Sequence, residues 1–314
     1  MSDLIHDTIP LNLIEERAKF FADYNYNPQF KYTRSFTQEE LQQWGTPLPA
    51  FCDQAEQMVK MHRPLPPTDP IVTVEDVERI IAEYNDTLQF NPPLSVEFSE
   101  RAPSRCRLVK NTLIFHLPLT YTNRTFGDLM RHEIETHYLR KLNQQKQSWA
   151  DFQPVDNSFR RTEEGLANLH THLLREQKLI LKTYRTYHAV CLAQTQSFSK
   201  VFQALLELGV SPGTAFLLTF RTKRGLEDTA LPGGLTKDLC YFEGSVQVWQ
   251  WLMQPDNDPK DLYLGRIGLE HIDQLKPSAS KAGLHYPSFF KDLPAYLEAI
   301  SDIGRINHFE QLIK

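Results

Sequence analysis

The sequence has few cysteines, no long hydrophobic run and no excess of basic residues. No apolar stretch is long enough for a membrane span, and the N-terminus has neither the basic start nor the hydrophobic run of a signal peptide. The net charge of -5 gives no support for nucleic-acid binding. We therefore predict a cytoplasmic protein with no membrane or nucleic-acid partner. Four cysteines are too far apart to form a paired metal-binding or redox motif, and we predict that they are buried thiols of a reducing compartment: Cys52, Cys106, Cys191 and Cys240.

The most informative stretch of the chain is residues 132–137, in which two histidines bracket a glutamate. In the common zincin pattern, two ligand histidines lie four residues apart on one helix face, and the glutamate after the first acts as a base. Here His132 and His137 are five residues apart, a step that turns the second imidazole about 140° away on a regular helix. A π-bulge would bring both to one face, and such bulges are frequent at functional sites. We predict one between Glu133 and His137.

Apolar periodicity places this motif on a helix that follows two strands. Residues 94–98 and 112–117 have the composition of short strands, and Thr125 with Asp128 forms a candidate capping box for the helix. A buried stripe recurs every four residues: Phe126, Met130, Ile134 and Tyr138. This pattern predicts an α+β fold, predominantly helical and zincin-like, with a small β-sheet beside the metal-binding helix. In that layout an edge strand can bind an extended peptide.

A second helix offers a third metal ligand. Catalytic zinc sites usually have three protein ligands and leave the fourth position to water. Thr162 is the predicted N-cap of this helix, and either Glu163 or Glu164 is free to point toward the first helix. His170 and His172 are alternative ligands, although we favour a surface or interhelix polar role for them. The predicted apolar face of the helix consists of Leu166, Leu169, Leu173 and Leu174.

Two motifs of this chain resemble a known family. His-Glu-Ile-x-Thr-His, followed about thirty residues later by Glu-Glu-Gly-Leu-Ala, is similar to the bacterial proteins labelled flavohaemoglobin-expression-modulating QEGLA-motif proteins. Eukaryotic members of this family include the microtubule-associated tyrosine carboxypeptidases, which remove the last residue of α-tubulin. The resemblance extends from residue 94 to residue 244 and includes weaker matches at residues 224–225 and 233–239. Glu163 stands where the family label has glutamine.

The resemblance implies a role for each residue of the two motifs. His132 and His137 would bind Zn²⁺ with Glu164 as the third ligand, and Glu133 would be the general base. In such a site Glu133 takes a proton from a water that zinc has made more acidic, and then passes it to the leaving amine. We therefore expect a zinc-dependent metallocarboxypeptidase that releases one residue from the C-terminus of a peptide or protein.

A carboxypeptidase must also bind the terminal carboxylate of its substrate. A guanidinium or an ammonium group near the metal is the usual partner. Arg221, Arg224 and Lys237 are our candidates for substrate binding. The two arginines also lie at the end of an apolar helix that begins near Ser211, where cations suit the helix dipole, so they have a structural explanation as well.

The chain divides into two predicted regions at a proline-rich segment, residues 63–70. Residues 1–70 would form an N-terminal helical cap or extension, and residues 71–314 a zincin-like catalytic domain. Two other functions compete with the carboxypeptidase. A zinc endopeptidase or aminopeptidase would have a cleft open on both sides of the metal, or an acidic group for the substrate amine. A non-catalytic regulator would close the coordination sphere with a fourth ligand, such as His170 or His172.

Overall fold

The structure, a computed structural model, describes residues 4–63, 69–100, 105–150 and 158–313. Helices dominate these residues, and the sheet is small, so the predicted α+β class is confirmed. None of the described helices combines the length and the apolar character that a membrane span requires. The α-helices are α1 (Leu4–Asp7), α2 (Leu13–Ala22), α3 (Gln38–Leu41), α4 (Pro49–Met61), α5 (Val74–Leu88), α6 (Asn123–His132), α7 (Leu139–Gln144), α8 (Ser158–His172), α9 (Leu181–Ala193), α10 (Phe198–Glu207), α11 (Pro212–Lys223), α12 (Leu239–Leu252), α13 (Leu269–Leu275) and α14 (Leu293–Ile306). Short 3-10 helices are Pro259–Tyr263, Lys276–Ser278, Ser288–Lys291 and Phe309–Leu312.

The sheet has three strands, two of which were predicted. They are β1 (Ser95–Ser99), β2 (Cys106–Val109) and β3 (Thr112–His116), in the order β1-β3-β2. β1 runs parallel to β3, and β2 runs antiparallel to β3. The ring of Phe115 on β3 lies 5.7 Å from that of Phe126 on α6, so the sheet packs beside this helix. The short strand β2 has no apolar run of its own to indicate it.

Helix α6 begins three residues earlier than predicted. The side chain of Thr122 accepts a hydrogen bond from the backbone of Thr125, and the two residues form the capping box. The predicted capping box of Thr125 and Asp128 is therefore wrong, and the buried Asp128 instead pairs with Arg131 and Arg175. The predicted apolar stripe is confirmed, because each of its side chains is at most 2% exposed: Phe126, Met130, Ile134 and Tyr138.

Helices α8 and α12 cross in direct backbone contact. A Cβ atom on Gly165 would collide with the backbone of Gly244, so a side chain at this position would push the two helices apart. α8 begins at Ser158, and the predicted N-cap Thr162 is wrong. Thr162 lies inside the helix, where its hydroxyl accepts a hydrogen bond of 3.0 Å from the backbone of Leu269. Of the predicted apolar face, Leu166, Leu169 and Leu173 are buried, whereas Leu174 is 69% exposed.

A disulfide between Cys52 and Cys191 joins α4 to α9, with their Cα atoms 6.0 Å apart. The prediction of four thiols is therefore wrong for these two residues, whereas Cys106 and Cys240 are thiols. The spacing of 139 residues between Cys52 and Cys191 carries no signal that α4 and α9 pack together. The bond links a helix before residue 70 to one after it. The division into two regions stays a prediction, and residues 64–68 of its boundary lie outside the described residues.

Candidate metal centre and active site

The predicted π-bulge is confirmed, because Glu133–Tyr138 form a π-helical turn between α6 and α7. The hydroxyl of Thr136 donates a 2.8 Å hydrogen bond to the carbonyl of Arg131, five residues earlier. The extra residue in this turn compensates for the irregular spacing of the two histidines. As a result, the ring centroids of His132 and His137 are only 4.8 Å apart.

Glu135 fixes the π-turn to other parts of the fold, and it is 2% exposed. Its carboxylate accepts hydrogen bonds from the Tyr84 hydroxyl at 2.9 Å and from the backbone and hydroxyl of Ser288 at 2.6 and 2.7 Å. The hydroxyl of Tyr263 donates to its carbonyl at 2.6 Å. These contacts come from α5 and from the C-terminal third of the chain, so tertiary packing stabilises the turn.

Glu164 completes a cluster with the two histidines. Its Oε2 atom lies 3.9 Å from His132 Nε2 and 3.8 Å from His137 Nε2, and all three potential ligand atoms lie within 4.8 Å of one another. A tetrahedral zinc ion would hold such atoms about 3.4 Å apart, given bonds of about 2.1 Å. Small side-chain rotations would therefore suffice, and two imidazoles with one carboxylate are a donor set that suits zinc.

Hydrogen bonding directs both imidazoles in the same way. His132 Nδ1 lies 3.1 Å from the hydroxyl of Thr171, which donates its own hydrogen to a backbone carbonyl of α8. His137 Nδ1 lies 3.0 Å from Oε1 of Glu163, which as a carboxylate can only accept. Both Nδ1 atoms therefore carry the hydrogen. Both Nε2 atoms then face Glu164 with a lone pair free for a metal.

The charge states of His132 and Glu164 suit metal binding. Burial lowers the pKa of His132 to about 3. Burial also acts to lower the pKa of His137, but the hydrogen bond to Glu163 and the negative charges of the neighbouring glutamates together raise it. Burial acts to raise the pKa of Glu164, but the ammonium of Lys237 and the imidazoles lower it to about 2. Glu164 is therefore ionised at neutral pH, as a metal ligand must be.

Glu133, the predicted general base, lies on the π-turn directly after His132. Burial raises the pKa of its carboxyl, while the charge of His137 lowers it and that of Glu164 raises it. A partly buried carboxylate with a raised pKa is the kind of group that accepts a proton during catalysis.

Neither of the two arginines predicted to bind substrate contacts the metal cluster. Arg221 at the end of α11 donates to both carboxylate oxygens of Asp238, at 2.8 and 2.5 Å. Arg224 is 9% exposed, and its buried Nε atom has no hydrogen-bond partner among the described residues. The structure does not bring either guanidinium into contact with the cluster of histidines and Glu164.

Lys237 is the predicted substrate-binding residue that reaches the cluster. Its ammonium donates to Oε1 of Glu164 at 3.1 Å and to the hydroxyl of Tyr241 at 3.3 Å. A glycine turn places it there: Gly234 has a φ of 134°, and a Cβ atom on it would collide with the carbonyl of Thr222. This turn is thus packed against the end of α11 and carries Lys237 to the metal cluster.

His170 and His172 lie outside the cluster. Thr136 already donates its hydrogen to a carbonyl of α6, so His170 Nδ1 donates to the Thr136 hydroxyl at 2.8 Å. His170 Nε2 then accepts from the hydroxyl of Tyr296 on α14, at 3.1 Å. His172 Nδ1 lies 2.9 Å from the carbonyl of Asn168. The predicted interhelix role is confirmed for His170, and both side chains are buried rather than on the surface.

Three polar residues around the cluster were not predicted from the sequence. Thr171 lies seven residues after Glu164, which is two turns of α8 and the same face, so its place follows once Glu164 is chosen. Arg140 and Arg266 contact Glu163. Arg266 lies 103 residues from Glu163, and no local pattern indicates that pair.

Fold and cluster together define a class of protein: a predominantly helical α+β protein with two imidazoles and a carboxylate that converge beside a further, partly buried glutamate, Glu133. Comparison with known proteins identifies the family. A family model described as microtubule-associated tyrosine carboxypeptidase matches residues 29–307. The chain therefore belongs to the microtubule-associated tyrosine carboxypeptidase family.

Curated relatives support the same assignment. Microtubule-associated tyrosine carboxypeptidase 1 from Homo sapiens is 28% identical over 323 residues, which cover 96% of this chain and 68% of that protein. The proteins of the same name from Mus musculus and Rattus norvegicus are each 27% identical, with the same two coverages.

Proposed function

We propose that this chain is a zinc-dependent carboxypeptidase in which His132, His137 and Glu164 bind the metal and Glu133 is the general base. One observation carries the proposal: each imidazole commits Nδ1 to a hydrogen-bond acceptor and directs Nε2 toward Glu164. The relatives are named tyrosine carboxypeptidases, which supports a reaction at a peptide or protein C-terminus. A cytoplasmic location remains our prediction.

The chemistry follows from the donor set and from Glu133. A zinc ion bound here would act as a Lewis acid, making a water more acidic and polarising the peptide carbonyl. Glu133 would accept a proton from the attacking water and later donate it to the leaving amine. Burial raises the pKa of Glu133, which makes it a stronger base than an exposed carboxylate.

We propose that the substrate binds as an extended strand beside β2, the zincin arrangement. β2 is at the edge of the sheet that the described residues form. Burial and the charge of Glu133 both raise the pKa of Cys106, the first residue of this strand, so the base acts electrostatically on β2. An edge strand can hold a peptide by main-chain hydrogen bonds without regard to its sequence.

The positive charges that act on the cluster favour a substrate with a free carboxylate. Lys237 contacts Glu164, and the positive charges of Lys182 and Lys237 both act to lower the pKa of His132. An aminopeptidase would instead need an acidic group there for the substrate amine. We propose that Lys237 binds the terminal carboxylate, because it reaches the cluster while Arg221 is engaged by Asp238.

The test combines metal content with amino-acid release from peptides blocked at their N-termini. Glu133→Gln should keep near-stoichiometric zinc and lose most turnover, because a glutamine cannot accept the proton. Glu164→Ala should lose zinc, because two imidazoles alone bind it weakly. Glu83→Gln, an exposed change on α5, is the control and should leave both unchanged.

Two results would contradict the proposal. A wild-type protein that takes up no zinc after reconstitution would remove the metal site. Release of internal fragments rather than single residues would make the chain an endopeptidase.

A further inference from the structure

Glu163 is buried beside the metal cluster without being one of its ligands. Its side chain is 5% exposed, and Oε1 accepts from His137 Nδ1 at 3.0 Å. Arg266 Nε lies 2.9 Å from each of its two oxygens, and Arg140 Nη1 lies 3.6 Å from Oε2. One carboxylate thus joins an imidazole of the cluster to two guanidinium groups.

Arg140 also holds the backbone on both sides of Arg266. Arg140 follows the π-turn on α7 and is fully buried. It donates to the carbonyl of Leu262 at 2.9 Å and to that of Ile267 at 2.7 Å, and so fixes the segment that carries Arg266. Arg140 Nη1 has no hydrogen-bond partner among the described residues, and the Glu163 carboxylate 3.6 Å away pairs with its buried charge. The network therefore joins the metal cluster to a segment more than 100 residues away in sequence.

We infer that Glu163 is a positioning residue for His137: it holds the Nδ1 hydrogen so that Nε2 faces the metal, and Arg266 with Arg140 holds the Glu163 carboxylate in place. This inference rests on the zinc site proposed above. Acceptors behind a ligating histidine fix its tautomer and orientation and make it a more basic ligand, and their loss typically costs about 10–100-fold in metal affinity. A fold-stabilising ion pair alone would not have that effect.

The test is the zinc dissociation constant of the full chain, measured by competition with a chromogenic chelator near neutral pH. Glu163→Ala removes the acceptor and should weaken zinc binding about 10–100-fold. Glu163→Gln keeps an amide oxygen that can accept from His137, so it should restore most of the lost affinity. Unfolding of each variant in excess chelator reports the stability of the metal-free fold separately.

Glu243→Gln is the matched control. Glu243 on α12 is also 5% exposed, accepts from Tyr187 at 2.8 Å and pairs with Arg161 at 3.3 Å, but contacts neither histidine. The variant should lose stability and keep the zinc affinity of the wild type.

If Glu163→Ala fails to fold, Arg266→Met replaces it, because the Arg266 side chain is 39% exposed. Loss of the guanidinium frees the Glu163 carboxylate to rotate. Zinc affinity should then fall about 3–10-fold, which is less than the usual cost of removing the acceptor itself.

The outcomes separate this inference from the proposed function. If the wild type binds no zinc, both fail together. If the wild type binds zinc and Glu163→Ala, or its substitute Arg266→Met, binds it equally well, the positioning role alone is wrong. The same holds if Glu163→Gln binds zinc as weakly as Glu163→Ala, because the acceptor would then not be what matters.

Discussion

At the scale of single residues, the chemistry of the site could be read from the sequence better than its supporting contacts. His132, Glu133 and His137 form a local motif whose residue types indicate the reaction. The choice between Glu163 and Glu164 could not be made from local pattern, because adjacent helical residues point about 100° apart and only the packing of α8 against the π-turn decides which one faces the histidines. The resemblance to a family selects Glu164, which is the glutamate that lies beside both histidines in the structure.

Lys237 supplies the prediction at this scale. Lys237→Gln removes the ammonium proposed to bind the terminal carboxylate, and a charge-assisted hydrogen bond contributes about 1.5–3 kcal/mol. The wild type should prefer a peptide acid over the matching peptide amide, and the variant should lose about 10–100-fold of that preference, mainly through KM. Zinc content should stay unchanged, because Lys237 contacts Oε1 of Glu164, whereas Oε2 is the oxygen that faces the two histidines. Lys200→Gln, exposed on α10, is the control, and an unchanged ratio of acid to amide hydrolysis in Lys237→Gln would exclude this role.

At the scale of elements, the π-turn could be predicted because only that turn reconciles a five-residue histidine spacing with one metal. Its stabilising contacts could not be predicted. Glu135 looks like a solvent-exposed glutamate in the sequence, yet it is buried and bonded to Tyr84 and Ser288, which lie 51 and 153 residues away. The start of α6 was missed for another reason: a second local capping box, formed by Thr122 and Thr125, begins the helix three residues earlier. α8 begins at Ser158, so Thr162 lies inside it.

Thr136 supplies the prediction for this element. Its hydroxyl bonds the carbonyl of Arg131 and the imidazole of His170 inside the core. Thr136→Val keeps the shape and leaves two buried polar groups without this partner, so unfolding free energy should fall by about 1–3 kcal/mol. Zinc affinity should fall too, since the turn aligns the histidines. Thr136→Ser keeps the hydroxyl and should restore both quantities in urea unfolding and chelator competition. A Thr136→Val protein with unchanged zinc affinity would show that the turn forms without this hydroxyl.

At the scale of the whole molecule, contacts between helices far apart in the chain could not be predicted from the sequence. Composition and periodicity could predict an α+β fold rich in helix, because each strand and helix carries its own pattern. They could not show that α4 packs against α9, and so four cysteines were expected to be thiols. The disulfide between Cys52 and Cys191 closes a loop of 139 residues, a contact that only the assembled fold creates.

This disulfide leads to a prediction about the stability of the whole chain. In the chain-entropy model, a cross-link that closes a loop of this length contributes about 5 kcal/mol, and measured losses are about 2–5 kcal/mol. A phosphine reductant should therefore lower the urea midpoint of the wild type, while the double variant Cys52→Ser with Cys191→Ser should start low and not respond. Alkylation of the denatured protein should modify two thiols, those of Cys106 and Cys240, before reduction and all four cysteines after it. If all four react without reductant, the bond is absent from the purified protein, and the stability of the α4–α9 contact must come from packing alone.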